Sequence, residues 1–158
     1  MSKQNLQTLL QRIGETVGIP DLSLDDDNVS QLRVDGALDI MLEFFERTEQ
    51  VVFTVRCGEL GQNNRNAMLQ EIAEANFHWI GGGGGTLSLN AEDGMVYLQF
   101  REPTAQLDQT RFEGLLQALI MNAEHWGTRL VAGAVATDKP SALASEPATF
   151  NSLIPNRA

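Results

Sequence analysis

The sequence predicts an α+β fold in which helices cover one antiparallel sheet, in the order helix, three strands, helix, two strands, helix. Apolar residues recur at helical spacing in the helical segments and at every second position in the others. Short connections rich in Gly, Asn and Asp separate the alternating segments, and such connections join antiparallel neighbours.

The first helix and the next strands follow from apolar spacing. Gly18 and Pro20 end a helix of about four turns, whose apolar residues are Leu6, Leu9, Leu10, Ile13 and Val17. From Val29 to Cys57 the period is two, with a turn at Asp35-Gly36, which predicts a meander of consecutive strands. Its inward residues are predicted to be Leu32, Val34, Leu38, Ile40, Leu42, Phe44, Val51, Phe53, Val55 and Cys57.

A second helix is predicted after a cap at Asn63 or Asn64. Its apolar stripe is Met68, Leu69, Ile72, Ala75, Asn76, Trp79 and Ile80, and the glycine run 81–85 ends it. A phosphate-binding loop would lead from a strand into a helix and contain a Lys. This run leaves a helix, so a flexible connector is favoured.

Two strands and a long helix complete the predicted domain. One strand has alternating apolar residues at Leu87 and Leu89, and the other at Val96, Leu98 and Phe100, with a turn at Asp93-Gly94 between them. The helix is predicted to be capped by Asp108 and keeps its apolar period as far as Leu130. Beyond residue 136 isolated apolar residues stand among Pro, Ser and Ala. Residues 1–136 are therefore predicted to be one domain, and 137–158 a disordered tail.

Composition excludes several classes of function. The net charge of −10 and the pI near 4.5 argue against partners such as nucleic acid and anionic membranes, which need a basic surface. No apolar run reaches the roughly 18 residues of a membrane helix. The N-terminal residues lack the pattern of a signal peptide, so a cytoplasmic protein without membrane insertion is predicted.

No residue pattern indicates catalysis, a metal or a cofactor. Cys57 is the single cysteine, which excludes an intrachain disulfide, and it is interpreted as a core residue. His78 and His125 lack the i, i+4 partner of a helical zinc site, and each is interpreted as lying on a helix surface beside a buried indole. The carboxylates 25–27 lack the alternation of a calcium loop. We expect no enzyme activity.

Two strands carry more apolar side chains than a sheet covered on one face requires. The outward positions of the second strand are Asp39, Met41, Glu43 and Phe45, and those of the fifth are Met95, Tyr97, Gln99 and Arg101. Such a mixed face stays soluble while accepting apolar anchors from another protein. The alternative, that another helix of the same chain covers it, has equal support from these residues.

The chain resembles the Tir chaperone (CesT) family, the class I chaperones of type III secretion effectors, over residues 4–135. The resemblance lies in element order, acidity and size. It also lies in three stretches: LQTLLQRIG (6–14), LDIMLEF (38–44) and RFEGLL (111–116).

This resemblance implies a bacterial cytoplasmic homodimer, without cofactor or enzymatic activity, that holds the extended N-terminal region of one or more effectors. It implies effector-binding positions at Leu6, Leu10, Met41, Phe45 and Tyr97, and a dimer interface at Met68, Ile72, Trp79 and Leu87. The secretion ATPase is a further expected partner. The alternative is a regulatory or scaffold module of similar fold that binds a folded partner.

Overall fold

The computed structural model describes residues 2–34 and 36–135, which form an α+β domain in the predicted order of elements. The elements are α1 Ser2–Val17, β1 Val29–Val34, β2 Leu38–Phe45, β3 Gln50–Glu59, α2 Arg65–Ala75, β4 Thr86–Leu89, β5 Met95–Pro103 and α3 Gln109–Val135. Short 3₁₀ turns lie at Phe77–Trp79 and Thr104–Gln106. The predicted tail, 137–158, lies outside the described residues.

The strands form one antiparallel sheet of five, in the order β1-β2-β3-β5-β4. The predicted meander β1-β2-β3 is confirmed, and β5 lies between β3 and the edge strand β4. Ile40 faces Val55, and Val55 faces Leu98, so the inward rows of neighbouring strands coincide. Because side chains alternate between the faces, this register gathers the apolar set on one side.

The core lies between this inner face and the helices. Phe53 of β3 and Phe112 of α3 are fully buried, with ring centroids 5.6 Å apart. Leu6 and Leu10 of α1 belong to the same apolar cluster. Asp108 caps α3 as predicted, because its Oδ1 accepts a hydrogen bond of 2.7 Å from the Arg111 amide. Asn64 precedes α2 but makes no side-chain cap hydrogen bond.

The segment after α2 differs from the prediction. The helix ends at Ala75, and His78 and Trp79 adopt left-handed φ values of 53° and 57°. The Asn76 side chain pairs with the Leu87 backbone in both directions, at 2.8 and 2.9 Å. Asn76 therefore fixes the end of α2 against β4, and the chain leaves the helical path.

The glycine run is a packed turn, where the sequence predicted a flexible connector. The Gly84 amide donates to the Trp79 carbonyl at 2.9 Å, and the Trp126 indole donates to the Gly81 carbonyl at 2.8 Å. A Cβ on Gly85 would lie 2.6 Å from a ring carbon of Phe100. Gly81 and Gly85 need glycine because neighbouring atoms occupy the space of a side chain, and Gly84 because its φ is +97°.

Candidate functional site

The outer face of the sheet, opposite the core, is the candidate site. Its rows run across the strands: Gln31, Met41, Thr54 and Gln99 in one, and Arg33, Asp39, Arg56 and Tyr97 in the next. Of these, Met41, Tyr97 and Gln99 are half-buried, and the arginines are exposed. Among residues 2–34 and 36–135, no helix of the chain covers this face.

A groove of about 480 Å³ lies on this face, lined by Gln31, Leu32, Arg33, Asp39, Ile40, Met41, Thr54, Arg56 and Tyr97. Arg33 donates to both oxygens of Asp39, at 2.5 and 3.0 Å, and this hydrogen bonding holds the pKa of the carboxyl below its ordinary value. The Tyr97 hydroxyl donates to Asp93 at 2.7 Å, which raises the pKa of the phenol. The groove thus combines a methionine and an aromatic ring with fixed polar groups.

Polar contacts cross the centre of the outer face. The Ser88 hydroxyl donates to Gln99 Oε1 at 3.2 Å, and Gln99 Nε2 donates to the buried Thr54 hydroxyl at 3.4 Å. Because these side chains are polar, the centre of the face is stable in contact with water, and their mutual hydrogen bonds would also let a partner cover them. The face is amphiphilic rather than a continuous apolar patch.

The predicted effector-binding residues divide into two groups. Met41, Phe45 and Tyr97 all point to the outer face, and Phe45 keeps 42% of its surface exposed. Leu6 and Leu10 are 0% and 1% exposed within the core. Their burial argues against direct contact with a client, because the apolar stripe of α1 is already covered by its own chain.

The predicted dimer residues divide in the same way. Trp79 is 57% exposed, whereas Met68, Ile72 and Leu87 are buried in the core of a single chain. Their burial argues against a direct contribution of these three residues to the predicted dimer interface. The interpretation of His78 as lying beside a buried indole is wrong, because the neighbouring indole of Trp79 is exposed. Sequence reasoning did not name Phe77 and placed Ile80 in the apolar stripe of α2, yet they are 70% and 77% exposed. With Trp79 they make up an exposed apolar segment that we call the aromatic knob.

The described residues do not favour a nucleophilic cysteine, a phosphate-binding loop, a metal site or a membrane-spanning helix. Burial raises the pKa of the Cys57 thiol to about 12, so it is a poor nucleophile, as its interpretation as a core residue requires. Several amides of the glycine turn donate to carbonyls of the same turn, unlike those of a phosphate cradle. Within 2–34 and 36–135, no carboxylate, His or Cys cluster could hold a metal ion. No helix in these ranges has the length and apolarity to cross a bilayer.

Comparison with known proteins decides the family. The model of the Tir chaperone protein (CesT) family matches residues 8–127. The chain belongs to this family. It is therefore a type III secretion chaperone, a non-enzymatic class, as the sequence resemblance implied. No curated protein shows significant sequence similarity to this CesT-family chain.

Solved structures share the fold of this CesT-family protein at low sequence identity. The ExsC–ExsE complex is similar with a TM-score of 0.71 and 24% identity, over 81% of this chain and 95% of the other. The Yersinia pestis chaperone SycH, bound to a YscM2 fragment, gives 0.61 and 17%, over 76% and 98%. The ExoU–SpcU complex of Pseudomonas aeruginosa gives 0.58 and 17%, over 81% and 96%. These similarities confirm the predicted fold.

Proposed function

We propose that this chain binds the extended N-terminal region of type III secretion effectors on the outer face of its sheet. The observation that carries the proposal is the exposed Phe45, together with the half-buried Met41 and Tyr97, on a face that the described residues leave open. Two matched structures support the same class of partner: the HopA1–SchA chaperone–effector complex and the type III secretion chaperone SycH with its YscM2 fragment. An extended client gains affinity by burying apolar side chains against such a surface, at about 25 cal/mol per Å².

Coexpression with the N-terminal region of an effector from the same secretion gene cluster tests this proposal. Wild-type protein is expected to co-purify with the effector, and Phe45→Asp to lose it while keeping the circular dichroism of the folded chain. Met121→Asp is the matched control, because Met121 is 62% exposed but lies on α3. Equal capture by wild type and Phe45→Asp would contradict the assignment of this face.

We also propose that the chain is a homodimer joined through the aromatic knob. Phe77, Trp79 and Ile80 are all exposed within four residues of chain, and His78 and Trp79 adopt left-handed φ values there at an energetic cost. Burial against a second copy offsets that cost and removes the apolar cluster from water.

Light scattering tests the dimer. We expect a dimer mass for the wild type and half that mass for Trp79→Asp. Val131→Asp controls for adding charge at an exposed apolar position, because Val131 is 68% exposed on α3. A wild-type monomer would contradict the homodimer. An unchanged dimer mass for Trp79→Asp would show that the aromatic knob does not form its interface. Cytoplasmic location and contact with the secretion ATPase stay predictions of the family resemblance.

A further inference from the structure

The groove on the outer face has a local charge opposite to that of the whole chain. Its lining includes two arginines, Arg33 and Arg56, and one carboxylate, Asp39. The chain as a whole carries −10. A basic groove on an acidic protein attracts a different client from the one that its net charge suggests, because short-range pairing depends on local charge.

Arg56 is the cation of this groove that is left without an ion pair in the described residues. Asp39, its neighbour on β2, accepts from Arg33 through both carboxylate oxygens. Tyr97, directly opposite on β5, donates its hydroxyl to Asp93. Asp39 and Tyr97 feel the charge of Arg56, but their side-chain hydrogen bonds go to Arg33 and Asp93. The exposed guanidinium therefore keeps its N–H donors for another molecule.

Apolar surface lies beside this cation. Met41 and Tyr97 are half-buried and line the same groove. They also line a second groove of about 340 Å³, which includes Ser88 of the edge strand β4 and Asn90 just after it. A ligand that fits both features carries a carboxylate with an apolar side chain next to it. A small anion would satisfy the arginine but leave the apolar surface open to water.

We propose that the effector segment bound on the outer face carries an acidic residue that pairs with Arg56, next to an apolar residue that contacts Met41 and Tyr97. This inference rests on the proposed function and adds a rule for selecting clients. Arg56 is then a specificity-determining residue, because a guanidinium pairs with a carboxylate in a planar, two-bond geometry. Effector segments with a basic residue at that point are rejected through charge repulsion.

Charge reversal on both partners tests the rule. Overlapping synthetic peptides from the N-terminal region of the co-purified effector are titrated against wild-type protein to find the tightest segment. Arg56→Glu is expected to weaken its binding by about 30-fold, the loss typical of an interfacial charge pair. Replacing the acidic residue of the peptide with Lys is expected to weaken binding to wild type and to restore it to Arg56→Glu. The control is Arg47→Glu, which makes the same charge change at an exposed turn position that lines neither groove.

The outcomes separate this inference from the proposed function. Unchanged binding by Arg56→Glu, with Phe45→Asp still defective, would overturn the acidic-residue rule and leave effector binding intact. Tighter binding by Arg56→Glu would identify a basic client segment and also overturn the rule. Absence of any effector bound to wild type would overturn both. Because Arg56 is exposed, Arg56→Glu is expected to stay folded, and its melting temperature is measured first because the new carboxylate lies near Asp39.

Discussion

Replacing Leu10 or Phe45 with alanine distinguishes a core residue from a client-binding residue. Leu10 is 1% exposed, so Leu10→Ala leaves a cavity in the core and is expected to lower the free energy of unfolding by about 3–5 kcal/mol. Phe45 is 42% exposed, which leaves roughly 80 Å² of a side chain of about 200 Å² open to a partner. Burying that area at about 25 cal/mol per Å² contributes about 2 kcal/mol, or roughly 30-fold in Kd.

Urea unfolding and peptide titration measure the two effects separately. Leu10→Ala is expected to shift the unfolding midpoint strongly, while the fraction that remains folded binds an effector peptide normally. Phe45→Ala is expected to bind the peptide weakly and lose less stability than Leu10→Ala. The reverse pattern, a stable Leu10→Ala that cannot bind, would refute the argument from burial and restore α1 as a client-binding helix.

Further predictions concern packing, titration and reactivity. Gly85→Ala is expected to lower the free energy of unfolding by about 1–3 kcal/mol, because a Cβ there meets Phe100. Gly114→Ala, at an open position on α3, is expected to raise it by about 1 kcal/mol. Urea unfolding measures both changes. Tyr97 is the single tyrosine, and its hydrogen bond to Asp93 raises its pKa. The absorbance change of the Tyr97 phenol should have its midpoint above pH 10, the ordinary tyrosine pKa, and Asp93→Asn should lower that midpoint. The stability that the hydrogen bond contributes is fully present below pH 10 and is lost as the pH rises through the pKa of the folded protein. Cys57, with a pKa of about 12, should react with thiol reagents only on unfolding, so fast labelling of the native protein would contradict its burial.

The sheet could be predicted from sequence because strand periodicity leaves little choice. Once Ile40 and Leu42 face the core, Met41 must face outward, since a shift by one residue would reverse every side chain of the strand. This constraint also predicted Tyr97 on the outer face. The sequence therefore predicted correctly which face of the sheet these strand residues occupy, because each side chain determines the face of its neighbour.

The helices were less determined by their sequences. Leu10 has the same helical spacing whether its own core or a client covers it, so spacing could not identify its neighbour. Trp79 and Ile80 continue the spacing of α2, yet the chain turns away before them. The residue that signals this turn is Asn76, because its side-chain amide pairs with β4. The sequence prediction had counted Asn76 as part of the apolar stripe of the helix.

The chain has two tryptophans in opposite environments, which makes it its own fluorescent reporter. Trp126 is 3% exposed and Trp79 is 57% exposed, so their emission responds to different events. In a Trp126→Phe background, a shift to shorter wavelengths on raising the protein concentration would report self-association alone. In a Trp79→Phe background, the remaining indole would report loss of the native interior, so assembly and unfolding can be followed independently without an attached dye.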